Sequence, residues 1–286
     1  MLYLSRFTFP DVEREVSFIM DEKRTCYDSF YPFKILSRND LTELEFEPVT
    51  ILYGGNGCGK TTAINVIAEK LGLQRDALYN RSAFFDDYAR MCYYELRAPV
   101  PPNSRIITSD DVFDYMLNLR AMNEGIDQRR EELFQEWLSD KYAEFKVRSL
   151  DDYEQLKRVN MARSKTQSRY VRKRLMDNVR ERSNGESAFF YFTHKIEENG
   201  LYLLDEPENS LSPERQLELL KFLENSARFF GCQLVIATHS PFLLSMRGAA
   251  VYDMDAEPVC RRRWTELPAV RAYWSFFQRH QREFEE

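Results

Sequence analysis

Residues 54–61, Gly-Gly-Asn-Gly-Cys-Gly-Lys-Thr, constrain the fold more than any other stretch of the chain. They match the pattern G-x-x-x-x-G-K-[ST] and follow a short apolar run, VTILY, of the kind found in buried strands. The apolar residues from Ala63 to Leu71 then keep helical spacing, and Gly72 stands where a C-terminal cap is expected. A glycine-rich loop in this position turns backbone N–H groups toward an anion, and the helix N-terminus adds a partial positive charge. The sequence therefore predicts a strand–loop–helix unit that binds phosphate groups.

Each residue type in this loop has an expected task. Lys60 is predicted to reach the β- and γ-phosphates of a nucleotide, and the Thr61 hydroxyl to bind Mg²⁺. Cys58 occupies a free position of the pattern; we interpret it as a small tolerated residue, and a redox switch is the alternative. The predicted nucleotide-binding residues of the loop are Gly55, Asn56, Gly57, Cys58, Gly59, Lys60, Thr61 and Thr62.

Two further motifs follow predicted buried strands. The stretch LYLLDEPE places Asp205 and Glu206 where a strand leaves the sheet, the edge at which open α/β sheets bind ligands. Asp205 is predicted to hold Mg²⁺, and Glu206 to orient and deprotonate the water that attacks the γ-phosphate. His239, in ATHSP, ends the next strand and is predicted to contact the γ-phosphate. The alternatives are a helix N-cap for the acidic pair and a packed or solvated side chain for His239.

The pattern along the chain predicts an α/β fold with a mainly parallel sheet and helices on both faces. Apolar runs indicate strands at RIIT (105–108), LYLL (201–204), QLVIAT (233–238) and, as the last strand, AAVYDM (249–254). Strands are also expected in LYLSRFTF, EVSFIM (15–20) and LTELEFEP, which together suggest an N-terminal antiparallel lobe. Helices are expected from Ser212 and Pro213 onward and over 268–284.

Residues 110–182 are mainly helical in pattern, with a break near RSLDD (148–152). We therefore predict a core formed by 1–109 and 183–286, with 110–182 as an inserted helical subdomain. No apolar run is long enough to span a membrane and no signal peptide is evident. The five cysteines are scattered without CxxC spacing, so reduced thiols in a cytoplasmic protein are expected.

The order of the motifs resembles that of a protein class. A phosphate loop, a serine-glycine turn SNGES (183–187), strand-Asp-Glu-Pro and strand-His-Ser-Pro follow one another as in ATP-binding-cassette (ABC) ATPases, including SMC-type head domains. The resemblance is strong over 40–72 and 183–255. The chain is most similar to small stand-alone AAA-family ATPases of bacterial and phage genomes, whose relatives include ATPase subunits of anti-phage defence and toxin–antitoxin systems.

The resemblance implies that ATP is held at composite sites of a head-to-tail dimer. Ser183, Gly185 and Glu186 match the signature turn, which closes over the γ-phosphate bound by the partner's P-loop. Asn184 stands where the commonest signature has glycine, and Glu186 where it has glutamine. The segment ENSLSP (208–213) matches the loop that crosses the dimer seam. A glutamine usual in the class is missing after RIIT, and Asp110 or Asp111 is the expected substitute.

These features predict an Mg²⁺-dependent ATPase whose dimerisation controls a bound partner protein or nucleic acid, with phage defence as one setting. The alternatives are the cassette of a membrane transporter and an ATP-gated scaffold for a toxin or nuclease. The sequence SAFFYFTHKIEENG (187–200) argues against a transporter, because such cassettes carry a basic-apolar helix after the signature. No membrane association is expected.

Residues 157–182 contain ten Lys and Arg but two Asp and Glu, a net charge of +8 in a chain of net charge −6. A basic helix of this kind is typical of proteins that track a phosphate backbone. Two alternatives stay open: the stretch binds an acidic partner protein, or it is a solvated face that pairs with the acidic residues of 127–156.

Overall fold

The computed structural model describes residues 1–24, 26–27, 29–144, 153–172, 175 and 184–285. The strands are β1 (Leu4–Thr8), β2 (Glu43–Glu45), β3 (Val49–Tyr53), β4 (Tyr93–Leu96), β5 (Arg105–Thr108), β6 (Leu201–Asp205), β7 (Gln233–Ala237), β8 (Ala250–Asp253) and β9 (Cys260–Arg261). The helices are α1 (Val12–Asp21), α2 (Lys60–Leu71), α3 (Phe85–Met91), α4 (Ser109–Tyr142), α5 (Tyr153–Ser164), α6 (Gln167–Arg172), α7 (Asn184–Lys195), α8 (Pro213–Phe229), α9 (Pro241–Leu244) and α10 (Pro268–Arg279).

The central sheet has the order β5-β6-β7-β3-β8-β9, and only the β8–β9 pair is antiparallel. All five residues of β3, of β6 and of β7 are buried. Side chains alternate between the two faces of a sheet, so both faces at the centre are covered. This confirms the predicted α/β class with a mainly parallel sheet. It also brings the ends of β3, β6 and β7 to one edge.

A second sheet, of order β2-β1-β4, is antiparallel, as expected for the N-terminal lobe. The buried Gln233 side chain joins this sheet to β7. Its Oε1 accepts from the backbone N–H groups of Tyr3 (2.7 Å) and Leu4 (2.9 Å), and its Nε2 donates to the Leu4 carbonyl at 2.7 Å. One side chain thus satisfies three buried backbone groups at the start of the chain.

Three local expectations are wrong. The stretch EVSFIM belongs to helix α1 and not to a strand, because Asp11 caps that helix by accepting from the Arg14 N–H at 2.8 Å. The buried Glu15 then accepts from the Lys34 N–H (2.7 Å) and the Ser37 hydroxyl (2.8 Å). In addition, AAVYDM is not the last strand, since β9 pairs with β8. The C-terminal helix ends at Arg279, and a 3₁₀ turn follows it.

The chain divides into two compact units, Met1–Val112 with Asn184–Glu286 and Phe113–Ser183. The second unit has its own small core of Leu133, Trp137, Ala162, Tyr170 and Val171. The predicted break at 148–152 lies outside the described residues. No helix in the described ranges is both long enough and apolar enough to cross a bilayer.

Only part of the basic stretch is described. Arg169 and Arg172 are exposed on α6, whereas 173, 174 and 176–182 lie outside the described residues. Arg158, on α5, lines a polar cleft with acidic side chains that include Glu131 and Glu136. This neighbourhood fits the interpretation in which the basic stretch pairs with the acidic residues of 127–156. Because it involves only Arg158 among the described basic residues of the stretch, all three interpretations stay predictions.

Candidate functional site

The phosphate loop connects β3 to α2 as the sequence predicts. Gly57 and Gly59 have φ angles of 83° and 99°, in the left-handed region that favours glycine. The backbone angle therefore favours glycine at Gly59, and a Cβ there would also stand 2.9 Å from Leu36 Cδ2, so that the buried Leu36 side chain would have to shift. The loop therefore makes a turn that residues with a side chain adopt only rarely.

Lys60 begins α2 and is almost fully buried. Its Nζ donates to the carbonyls of Gly54 at 2.7 Å and of Gly55 at 2.9 Å. The ammonium therefore lies folded over the loop that the sequence assigns to phosphate. Burial raises the pKa of the neighbouring Cys58 thiol, which disfavours the thiolate that a redox switch needs.

Thr61, at the start of α2, and Asp205, at the end of β6, meet although β6 is not adjacent to β3, the strand before the loop. The Thr61 hydroxyl donates to Asp205 Oδ1 at 3.2 Å, and Asp205 is 7% exposed. The pKa of this carboxyl is raised to about 6, chiefly because burial disfavours its charged form; the Thr61 hydrogen bond and Lys60 lower it, and the nearby Glu206 and Glu208 contribute to raising it.

The donor atoms of this pair fit Mg²⁺, which takes oxygen ligands and is commonly held by one or two protein groups together with substrate phosphates and waters. Among the described residues, no group of three or more His, Cys, Asp or Glu side chains forms a metal cage. A hydroxyl and a carboxylate beside a phosphate loop match an ion that takes its other ligands from the substrate and solvent.

The raised pKa of Asp205 gives a stability prediction. The folded protein holds the proton on Asp205 more tightly than the unfolded chain does. The stabilisation of the fold by the protonated carboxyl is therefore complete below about pH 4 and is lost as the pH rises through about 6. Asp205→Asn removes the buried charge and keeps an acceptor for Thr61. We expect it to raise the free energy of unfolding at pH 8 by up to about 3 kcal/mol more than at pH 4. Urea titrations at both pH values test this, with the exposed Asp21→Asn as control. A less stable Asp205→Asn protein at pH 8 contradicts it.

Glu206 extends the acidic edge. Its φ of 48° is left-handed, which is uncommon for a residue with a side chain, and its N–H donates to the Ala237 carbonyl at 2.9 Å. Asn209 Nδ2 donates to Glu206 Oε2 at 3.0 Å. The other oxygen, Oε1, stands 3.8 Å from Nδ1 of the half-exposed His239. The structure thus brings Lys60, Thr61, Asp205, Glu206 and His239 to one edge of the sheet.

Glu208 is a residue that sequence reasoning missed. It is 5% exposed, and its Oε1 accepts from the Thr238 hydroxyl (2.5 Å) and from the N–H groups of His239 (3.0 Å) and Ser240 (3.2 Å). This carboxylate fixes the backbone that carries His239. The sequence signal was an acidic residue two positions after Glu206, which the motif comparison assigned only to the dimer seam.

Three other side chains at the loop or at helix α2 were also missed. The Tyr31 hydroxyl lies 3.2 Å from Thr62 Oγ1, and Asp255 Oδ2 accepts from the Gly55 N–H at 2.8 Å. Arg75 Nη2 donates to Asn65 Oδ1, on α2, at 2.6 Å. No local pattern marks Tyr31 and Asp255, because both reach this region from distant segments of the chain.

The signature turn is described only in part. Ser183 lies outside the described residues, and 184–187 belong to helix α7 and not to a polar turn as expected from the sequence. A Cβ at Gly185 would stand 3.1 Å from the Ser210 carbonyl oxygen. Glu186 Oε1 lies 3.6 Å from Arg215 Nη2. The start of α7 is therefore packed against the segment that the resemblance assigns to the dimer seam.

Asp110 and Asp111, the expected substitutes for the missing glutamine, lie in the first turn of α4. Both carboxylate oxygens of the buried Asp111 accept backbone hydrogen bonds, from Ala77 N–H (2.6 Å) and Thr108 N–H (2.6 Å). The Thr108 hydroxyl donates to it at 2.9 Å. Asp110 is exposed. Asp111 thus holds the β5–α4 connection together, and a link to Mg²⁺ stays a prediction.

A family model described as "AAA domain, putative AbiEii toxin, Type IV TA system" matches residues 178–245. No curated protein sequence matches the chain. The match spans the signature, the acidic strand end and His239, and it confirms the resemblance found in the motifs. Together with the parallel sheet and its phosphate loop, it gives the chain the fold of an ABC/AAA-type P-loop ATPase.

Solved structures with similarity include an Smc head domain from Pyrococcus furiosus bound to the C-terminal domain of ScpA (12% identity, 82% of this chain and 94% of that chain, TM-score 0.41). The ATP-binding cassette MJ0796, a dimer bound to ADP and Pi, is 13% identical over 79% of this chain and 90% of its own, with a TM-score of 0.36. CbiO1 from Clostridium perfringens, part of an ABC transporter complex, is 15% identical over 85% and 88%, with a TM-score of 0.35. At these values the similarities bear on neither the activity nor the partners of this chain.

Proposed function

We propose that the protein hydrolyses ATP with Mg²⁺ at two composite sites of a head-to-tail dimer. The observation that carries the proposal is the 3.2 Å contact between Thr61 Oγ1 and Asp205 Oδ1. It joins the start of the phosphate-loop helix to an acidic strand end that also holds Glu206. A phosphate-binding loop, a pair of oxygen donors for Mg²⁺ and a second carboxylate are the parts that phosphoryl transfer to water requires.

The chain's own residues divide the work. Lys60 and the loop N–H groups bind the β- and γ-phosphates, with Lys60 exchanging its present carbonyl partners for phosphate oxygens. Thr61 and Asp205 hold Mg²⁺, which supplies charge neutralisation at the phosphates when bound. Glu206 orients the attacking water and accepts its proton, and His239 contacts the γ-phosphate.

The second half of each site comes from the other copy. We assign Ser183 and Gly185 to it on the resemblance to the signature turn. Gly185 and Glu186 lie in the described part of α7, Asn184–Lys195, and the proposal is that the start of this helix favours a bound phosphate, as helix N-termini do. The positions of Gly185 beside Ser210 and of Glu186 beside Arg215 place the turn next to the segment 208–213. Opening and closing of the dimer then controls a bound partner, for which a toxin is one candidate because the matched family is described by one.

Mixing two inactive variants tests the composite site. Ser183→Arg damages the signature and Lys60→Ala damages the P-loop. In a head-to-tail pair of the two, one site carries both lesions and the other carries neither. We expect ATPase activity to reappear on mixing, with a maximum near equal amounts.

The control mixes Lys60→Ala with Glu206→Gln. Both residues serve the same half of a site, so a mixed pair keeps no intact site and should stay inactive. Native mass spectrometry verifies that mixed dimers form. Two results would contradict the head-to-tail arrangement. One is that Ser183→Arg and Lys60→Ala form mixed dimers but regain no activity, and the other is that both mixtures recover activity equally.

The basic stretch is proposed to track the phosphate backbone of a nucleic acid. Replacing Arg169, Arg172, Lys173 and Arg174 with Gln should then flatten the log–log salt dependence of duplex binding by about 3–4 units, at about 0.9 per lost phosphate contact. ATP hydrolysis without nucleic acid should survive, because these side chains are assigned no role at the nucleotide. Fluorescence anisotropy across salt concentrations measures the slope. An unchanged slope eliminates this surface and favours an acidic partner protein.

A further inference from the structure

A cavity of about 830 Å³ lies beside the segment 239–242 and has no assigned role. Its walls come from the start of α8, that segment and the C-terminal part of the chain, where Trp264, Tyr273, Trp274 and Phe277 contribute four aromatic side chains. Pockets that bind small molecules have volumes of about 300–1,000 Å³ and are lined mainly by apolar and aromatic groups. The cavity has the size and the lining of such a pocket.

The aromatic side chains are large and yet accessible. Tyr273, Trp274 and Phe277 stand at helical spacing on α10 and are each about half exposed, whereas Leu267 and Val270 anchor the same segment in the core. Exposed aromatic groups that gather around a concavity mark binding sites, because leaving them in water costs free energy.

Glu208, one of the residues that line the cavity, has one side-chain oxygen without a partner among the described residues. Glu208 Oε1 accepts three hydrogen bonds, whereas Oε2 is buried without any hydrogen-bond partner in the part of the chain that the structure describes. A buried acceptor without a donor costs free energy, and such exceptions in folded proteins call for a ligand or water. A ligand with a donor group would supply the missing bond.

The charges of the residues that line the cavity indicate which donor group a ligand would carry. Arg271 also lines the cavity, but it is exposed, so its charge is screened by solvent. Glu208 is buried, where an electrostatic interaction is stronger, and the faces of Trp and Tyr rings attract cations. The geometry points to a binding site for a small organic amine that places an aromatic body in the cavity and its ammonium group against Glu208.

This site goes beyond the ATPase proposal and does not depend on it. The cavity nevertheless lies next to the proposed ATPase site. Glu208 holds the backbone of His239, and His239 itself lines the cavity. An occupied cavity is thus in direct contact with the segment that we assign to the γ-phosphate.

Two probes of equal shape and opposite charge test the site. Tryptamine and indole-3-propionate both carry an indole ring and a two-carbon linker, and they end in an ammonium and a carboxylate respectively. In isothermal titration without nucleotide, we expect tryptamine to bind at least about tenfold more tightly, the effect of one charge-assisted hydrogen bond. Tighter or equal binding of the acid, or no binding of tryptamine at millimolar concentrations, overturns the proposal.

Variants locate the binding. Glu208→Gln keeps the Oε1 acceptor and replaces Oε2 with an amide donor, so it should weaken tryptamine about tenfold and leave the acid unchanged or tighter. Trp274→Ala should weaken both probes, and Phe284→Ala, which removes a still more exposed aromatic side chain outside the lining, should weaken neither. Tryptamine affinity that is unaffected by Trp274→Ala contradicts the site. This comparison also stands if Glu208→Gln fails to fold.

Discussion

Glu206→Gln is expected to bind ATP as the unchanged protein does and to hydrolyse it about 10²–10⁴-fold more slowly. The carboxylate stands just beyond β6 on a backbone with a φ of 48°, and Asn209 Nδ2 holds one of its oxygens at 3.0 Å. Glutamine keeps the shape and can still accept from Asn209, but it cannot take a proton from water. The substitution therefore removes the proposed general base and little else.

The measurement is single-turnover hydrolysis of ATP, with affinity determined separately by titration. Glu214→Gln, an exposed acidic side chain in the first turn of α8, is the control for loss of one charge. A rate within threefold of the unchanged protein would show that Glu206 is not the base.

Lys60→Ala is expected to act on binding itself. Its ammonium is buried and held by two loop carbonyls, at 2.7 and 2.9 Å, which places it at the assigned phosphate position. A charge-assisted hydrogen bond contributes about 1.5–3 kcal/mol, so ATP affinity should fall roughly tenfold to more than a hundredfold. Isothermal titration with ATP and Mg²⁺ measures the change.

Lys70→Ala provides a matched control at the other end of the same helix. Its Nζ donates to the Arg90 carbonyl at 3.3 Å, away from the loop. Affinity should be retained there. Equal losses in the two variants would indicate damage to α2, and full affinity in Lys60→Ala would remove Lys60 from the site.

Local sequence was sufficient for the strand–loop–helix unit. The positive φ angles in the loop favour glycine whatever the rest of the fold. The apolar run VTILY before the loop is typical of a buried strand, which it forms. The same holds for Asp205, Glu206 and His239, since the carboxyl ends of parallel strands meet at one edge.

Local sequence was insufficient where distant contacts decide. Val16 and Phe18 alternate with polar residues as in a strand, yet Asp11 caps a helix and Glu15 is fixed by Lys34 and Ser37. The position of Glu208 two residues after Glu206 did not predict its hydrogen bond to the His239 N–H. That bond forms only because β6 and β7 pair and bring the two segments together. Sequence spacing likewise gave no sign of the aromatic cavity, which α10 forms only after it packs against the core.

The most direct test of the composite-site account is the mass of Glu206→Gln in solution. Hydrolysis is blocked in this variant, so a dimer closed around ATP should accumulate. Light scattering should give 34.1 kDa without nucleotide and twice that value with ATP and Mg²⁺. A particle that stays at 34.1 kDa with ATP bound would contradict the head-to-tail dimer.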